Sequence, residues 1–336
     1  MAKAKIIGTG VYAPGDSISN AEIVKLTGTT FPLDTLENKL GIYNRHIAKL
    51  RGVAETTTDF ATKAAQAAIA NAGIDPMAVK LFIVGTDTPE YISPGSAVVM
   101  QGRLQGKEMM TGCFDLNASC AGFTTALDVA ARMMAGDATL EYAVVVGVYN
   151  MPAFVRSDDG FGNAIFADGA GAVVLQRTSD DDQSGYIGGQ LMSDGTQWDY
   201  IGIYSGGAKK PITHERLDSG EYGLQNLKPL PGDRNIKLWP PLAKMLVEKY
   251  GCKVEDIGHI MFSQINRSVI LEVMKLLELP LEKTTTIMDR YGYTGSGSVP
   301  MALHHAITEG KIKRGDKVVL IASGAGFFVG ANLFTY

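Results

Sequence analysis

Residues 114–136, FDLNASCAGFTTALDVAARMMAG, decide how the rest of the chain is read. The spacing predicts a strand over 113–118, ending near Asn117. A cluster of small residues around Cys120 follows, and then a helix whose apolar positions recur on one face. Strand, tight turn and helix in that order form the unit from which layered α/β proteins are built. Working backward, LFIVGTD (81–87) reads as a buried strand, a short β-branched run stopped by glycine. DFATKAAQAAIANAG (59–73) reads as a helix closed by Gly73, and a further helix is expected over 95–104. Working forward, YAVVVGV (142–148) is another buried strand. Such alternation predicts α/β layers around a largely buried sheet.

The second half repeats this plan. PPLAKMLVEKYG (240–251) is an amphipathic helix ending in glycine. A short acidic turn and the strand within KVEDIGHIMFSQ (253–264) follow, much as in AGIDPMAVKLFIVGT (72–86). The helix 298–309 leads into DKVVLIASGAG (316–326), as the helix 120–135 leads into EYAVVVGVYN (141–150). A duplication is therefore expected. Its boundary falls in the polar run RTSDDDQSG (177–185), a solvated turn, giving halves 1–178 and 179–336.

At 336 residues the chain is long enough for two such units, and 46% apolar with 20% charged residues excludes a disordered polymer. Lys plus Arg number 31 against 35 Asp plus Glu, a net charge of −4, which gives no pull toward nucleic acid or anionic lipid. Three cysteines (Cys113, Cys120, Cys252) make no disulfide framework, and the five histidines show no metal-ligand spacing. No apolar run approaches the ~20 residues that span a membrane. A soluble protein of the reducing cytoplasm is expected, with no membrane, nucleic-acid or metal partner. Glycine is in excess: 39 residues, about 12% of the chain, against a usual value near 7%. With no repeat period, these glycines are assigned to tight turns and close backbone approaches.

Cys120 has two readings. At a helix N-terminus, unpaired N–H groups and partial positive charge favour a thiolate, so the thiol pKa is expected to be lowered. The small neighbours Ala118, Ser119, Ala121 and Gly122 leave room for a substrate. Alternatively Cys120 is a small buried hydrophobe, the usual state of a free cysteine. Cys113 and Cys252 read as structural. The glycine strings SGAGFFVG (323–330) and YTGSGS (293–298) lack the strand, long helix and distal acid of a dinucleotide loop.

NASCAGF (117–123), FADGAGAVVL (166–175) and GAGFFVGA (324–331), with GIYNRHIA (41–48) and TPEYISPGSA (88–97), resemble the β-ketoacyl-acyl-carrier-protein synthase III family of the thiolase superfamily. The resemblance covers essentially the whole chain. It implies a thiolase fold, two similar halves in a five-layered α-β-α-β-α sandwich, paired as a homodimer. It also implies that Cys120 accepts an acyl group from a thioester, with the backbone N–H groups of Cys120 and Ala325 as the oxyanion hole. Ala325 stands in the middle of what is usually a three-glycine run, flanked by Gly324 and Gly326. Where the family has histidine before Gln-Ala-Asn, this chain has FSQINR, so Ser263 replaces the histidine while Gln264 and Asn266 remain. Where the family has Tyr-Gly-Asn-Thr, Tyr293 replaces the asparagine. The resemblance thus implies a Cys–Ser–Tyr set in place of Cys–His–Asn. Ser263 and Tyr293 are either substitute donors to a thioester carbonyl, or a satisfied turn hydroxyl and a pocket-filling ring.

The implied function is transfer of an acyl group from Cys120 to a carbon, oxygen or nitrogen nucleophile in fatty-acid-related or secondary metabolism. Decarboxylative condensation and a non-catalytic subunit of a heteromeric synthase are the alternatives. No cofactor is implied, because acyl-CoA or acyl-ACP would be substrate. The family's tryptophan and arginine that sandwich adenine correspond to Thr35 and about Gly160, which favours a carrier protein over free coenzyme A. Lys209, Lys210 and Arg267 are either a patch for that acidic carrier or ordinary solvated surface. Ser93, small where the family often has a bulky residue, implies a wider acyl pocket.

Overall fold

The structure, a computed structural model, describes residues 3–107, 109–179 and 181–336, so Asp180 of the acidic run lies outside it. The first sheet is built from β1 (Ala4–Tyr12), β2 (Val79–Gly85), β3 (Gly112–Leu116), β4 (Tyr142–Tyr149) and β5 (Gly169–Arg177), in the order β1-β5-β4-β2-β3. The second contains β6 (Gly185–Ser193), β7 (Ile257–Phe262), β8 (Lys317–Gly324) and β9 (Phe328–Thr335), in the order β6-β9-β8-β7. The two orders share one plan. In each sheet the opening strand pairs antiparallel with the closing strand, the closing strand pairs antiparallel with the one before it, and that one pairs parallel with its next neighbour.

Helices that cover or separate the sheets include α1 (Thr57–Ala72), α2 (Gly122–Gly136), α3 (Arg234–Lys249), α4 (Arg267–Leu276) and α5 (Ser298–Thr308). Side chains alternate across a strand, so a strand buried on both faces feeds two cores. Leu81, Ile83 and Val145 join α2 and α5 in the layer between the sheets. Phe82, Val84, Val144 and Val146 pack instead on Phe60, Ala61, Ala64 and Ala68 of α1, outside the first sheet. Beyond the second sheet, α3 and α4 bury Trp239, Leu242, Leu246, Ile270 and Val273. The result is the α-β-α-β-α thiolase fold.

Local expectations hold with shifts of a few residues, save at α3. It begins at Arg234, ahead of Pro240 and Pro241. The fully buried Trp239, stacked on Phe262 at 4.9 Å and donating its indole N–H to Ser323 Oγ at 2.8 Å, anchors that early turn. Among the glycines, Gly147 shows why size matters: a Cβ there would lie 2.2 Å from the Ser296 carbonyl oxygen and 2.8 Å from Phe123 Cβ.

Candidate active site

In open α/β sheets, ligand sites gather beyond the carboxyl ends of parallel strands. Here β3, β2 and β4 run parallel as neighbours, and so do β7 and β8. Chain leaving these ends carries Cys120 after β3, Asp87 after β2, Tyr149 at the end of β4, Ser263 after β7 and Ala325 after β8. All five line one cavity of about 530 Å³, together with Tyr293, Asn266, Gly324 and Gly326. Its walls are otherwise largely apolar, with Met151, Ile165, Phe166, Ile203, Leu224 and Val269 among them.

Cys120 sits in the turn before α2, not inside it, because the helix begins at Gly122. Ser119 takes a left-handed backbone, φ 49°, and its carbonyl accepts from Gly122 N at 2.8 Å. That turn lifts Cys120 toward the cavity. Gly324 packs directly beneath it: a Cβ there would lie 2.4 Å from the Ala118 carbonyl oxygen and 3.1 Å from Cys120 N. The β8–β9 turn that carries Ala325 therefore meets the backbone of Cys120, the placement two converging N–H donors require.

The lowered thiol pKa expected from the helix end is overturned. Burial pushes the Cys120 thiol up to about 12, and the nearby Asp87 carboxylate adds to the rise. The hydroxyls of Tyr293, Ser119 and Tyr149 around the sulfur work against the rise without offsetting it. One helix terminus falls off within a turn, whereas desolvation and a facing carboxylate act on the sulfur itself. Asp87 is likewise raised by burial, against the Ser119 hydroxyl that donates to its Oδ2 at 2.7 Å.

Ser263 and Tyr293 line up toward the sulfur. Ser323 N donates to Ser263 Oγ at 2.9 Å, the Ser263 hydroxyl neighbours that of Tyr293, and the Tyr293 hydroxyl neighbours Cys120. Tyr293 is itself held against 165–167: its N donates to the Ile165 carbonyl and its own carbonyl accepts from Ala167 N, each at 3.0 Å. Both tyrosine hydroxyls are pushed well above their ordinary value by burial first and Cys120 second, so they remain donors. A neutral hydroxyl pair aimed at sulfur suits stabilisation of negative charge on it or beside it.

Other expected residues fall elsewhere. Asn266 lines the cavity, but its Oδ1 caps α4, accepting from Val269 N at 3.3 Å and Ser268 Oγ at 2.8 Å, so only its amide nitrogen is uncommitted. Ser93 is exposed and lies off the cavity of its own chain. The three basic residues do not form one patch. Lys210 pairs with Glu221, Lys209 lies 5.6 Å over the Trp198 ring at the cavity wall, and Arg267 lines a separate groove with Asp289 and Arg290. Thr35 is exposed, and Gly160 packs 2.9 Å (as a Cβ would) from the Thr30 carbonyl oxygen, so neither supplies a stacking ring. Phe161 and Trp198 are exposed aromatic rings that line the cavity. Sequence reading missed Asp87, Tyr149 and these two rings. The first two had a signal, since each ends or directly follows a run that the pattern already marked as a buried strand.

Two sheets of one plan, meeting at a cysteine above an apolar cavity, define a thiolase-fold protein. Residues 114–195 match the family 3-oxoacyl-[acyl-carrier-protein (ACP)] synthase III, and residues 247–336 match its C-terminal part. Among curated relatives, β-ketoacyl-[acyl-carrier-protein] synthase III of Coxiella burnetii (strain RSA 493 / Nine Mile phase I) is 34% identical, covering 99% of each chain. That of Aquifex aeolicus (strain VF5) is 32% identical, also over 99% of each. The crystal structure of the Aquifex aeolicus VF5 3-oxoacyl-[acyl-carrier-protein] synthase III superposes with a TM-score of 0.83 at 31% identity, covering 99% of this chain and 100% of that one. The corresponding Pseudomonas aeruginosa PAO1 structure gives 0.85 at 25% identity, over 99% and 98%. The chain belongs to the 3-oxoacyl-[acyl-carrier-protein] synthase III family.

Proposed function

We propose that this protein is an acyltransferase of the 3-oxoacyl-ACP synthase III type, which takes an acyl group from a thioester onto Cys120 and passes it to a second nucleophile. The observation that carries this is the seating of Gly324, next to the cavity-lining Ala325, against the Cys120 backbone. A sulfur nucleophile and two converging N–H donors suffice for acyl transfer. Incubation with acyl-CoA and acyl-carrier-protein donors, followed by intact-mass measurement, tests it. The expected result is one acyl adduct, absent in Cys120→Ala. No adduct with any donor refutes the assignment.

In this proposal Cys120, Ser263 and Tyr293 stand where the family has Cys, His and Asn. The line of hydroxyls toward Cys120 favours a second reading, in which Tyr293 stabilises an enolate and carbon–carbon bond formation is retained. Decarboxylation of a malonyl thioester that is lost in Tyr293→Phe supports it. The donor is a carrier-protein thioester more readily than free coenzyme A, given the missing adenine-stacking pair. The active form is a homodimer, formed through β3. This strand is the open edge of the first sheet and exposes Phe114, while the loop after β2 exposes Tyr91 and Ile92. The halves 1–178 and 179–336 are taken as the duplicated units. Among the described residues no helix is long and apolar enough to cross a membrane.

A further inference from the structure

Acylation of a thiol needs somewhere for its proton to go, and no histidine is among the described residues that line the cavity. Its titratable and charged lining residues are Asp87, Cys120, Tyr149, Tyr200, Tyr293 and Arg234 among those described. The tyrosines that touch the sulfur are donors to it, and Arg234 is a cation. Among the described lining residues Asp87 is the one carboxylate, and so the acceptor that remains.

Its geometry fits the task. The Ser119 hydroxyl donates to Asp87 Oδ2 at 2.7 Å and lies 3.8 Å from Cys120 Sγ. The shorter contact directs the hydroxyl hydrogen to the carboxylate and leaves an oxygen lone pair facing the sulfur. Asp87 Oδ1 is buried with no hydrogen-bond partner among the described residues. An uncompensated buried carboxylate oxygen is costly, and such groups persist where function uses them. No Lys, Arg or His is among the groups that act on Asp87.

We infer that Asp87 is the proton acceptor for Cys120, working through the Ser119 hydroxyl, in the acylation step proposed above. The S–H proton passes to Ser119 Oγ as the Ser119 proton passes to the Asp87 carboxylate. The freed sulfur pair then attacks the thioester carbonyl carbon. When the tetrahedral intermediate collapses, the bond from that carbon to the donor sulfur breaks. The donor leaves as a thiol carrying the proton returned from Asp87, which ends as a carboxylate. The cavity keeps one negative charge throughout, moved from carboxylate to sulfur, to the carbonyl oxygen in the tetrahedral intermediate, and back to the carboxylate. The two tyrosine hydroxyls stabilise it while it rests on sulfur.

The test is the single-turnover rate of acyl-adduct formation against pH, read by intact mass with a short-chain acyl-CoA, in wild type, Asp87→Asn and Ser119→Ala. With Asp87 as acceptor, the wild-type rate is flat across pH 7–9. Asp87→Asn falls about 100-fold or more at pH 7 and climbs about tenfold per pH unit, because hydroxide must then remove the proton. Ser119→Ala keeps the carboxylate and loses about tenfold or more without gaining that slope. An Asp87→Asn rate within threefold of wild type with the same profile overturns the inference. So does a faster rate, which is the outcome if Asp87 only raises the thiol pKa. An unchanged Ser119→Ala rate overturns the relay even if Asp87→Asn does not fold. Wild type that fails to acylate from acyl-CoA and from acyl-carrier-protein donors alike defeats the acyltransferase assignment instead, and the two failures are distinct.

Discussion

Replacing Tyr293 by Phe removes one oxygen atom and asks how much the sulfur depends on it. The ring's packing against Tyr149 and Phe166, with centroids 6.2 and 6.1 Å away, survives the change. What is lost is the hydroxyl beside Cys120 at the end of the line from Ser323 N through Ser263. A hydrogen bond to a charged acceptor contributes about 1.5–3 kcal/mol, which at 1.36 kcal/mol per unit is about 1–2 units further up in thiol pKa. The remaining thiolate is more nucleophilic, with a Brønsted coefficient near 0.45, so a little over half of the shift appears in the rate. The second-order rate of reaction with a small aromatic disulfide at pH 8–9 should therefore drop about 3- to 13-fold. Subtracting a Cys120→Ala control removes the contribution of Cys113 and Cys252. Stability should move little. An entropy of unfolding near 2.1 cal/mol/K per residue means that 1 kcal/mol shifts Tm by only about 1.4 °C in a chain this long, and the orphaned Ser263 hydroxyl costs about that much. A Tyr293→Phe rate within a factor of two of wild type, or a faster one, would refute the claim that this hydroxyl supports charge on Cys120.

Two further predictions concern the scaffold. Gly147→Ala forces a Cβ to within 2.2 Å of the Ser296 carbonyl oxygen, so a loss of about 3 kcal/mol or more, read as a Tm lowered by about 4 °C or more, is expected. Gly102→Ala, with nothing within 4 Å of its Cβ, is the control and should be neutral or stabilising. His259 is fully buried, its Nε2 bonded to Thr285 Oγ1 at 2.9 Å, and burial lowers it from 6.5 to about 4, with Lys311 adding to the effect. Between those two values the unfolded chain binds a proton that the folded chain refuses. The stabilisation is therefore fully present above pH 6.5 and is lost as pH falls toward about 4, by about 3 kcal/mol. Asp168, raised to about 6 by burial, acts in the opposite direction over part of this range. NMR titration of the His259 ring isolates its share, and a midpoint near 6.5 would contradict this account.

The fold was legible because its information is local. The runs LFIVGTD and YAVVVGV show strands buried on both faces, and the alternation of Leu81, Ile83 with Phe82, Val84 between two cores follows from side-chain period alone. The internal likeness of the two halves, seen faintly in helix–turn–strand order, reappears as one strand plan used twice. Cys120 was legible for the same reason: strand, small-residue turn and apolar helix are read within twenty residues.

The chemistry around that sulfur was not local. Asp87, Tyr149, Ser263 and Tyr293 come from strand ends and a loop spread over two hundred residues, and only the stacking of two sheets brings them to one cavity. Helix position by itself argued for an acidic thiol. The tertiary structure reversed that, because burial and the Asp87 carboxylate act on the sulfur more strongly than one turn of backbone dipole. By itself, then, the sequence determined the layers, the repeat and the position of the cysteine, all properties of neighbouring residues. The sulfur's charge state, and which residue stands ready for its proton, were decided only by folding, since electrostatic energy depends on distance through space and on excluded water.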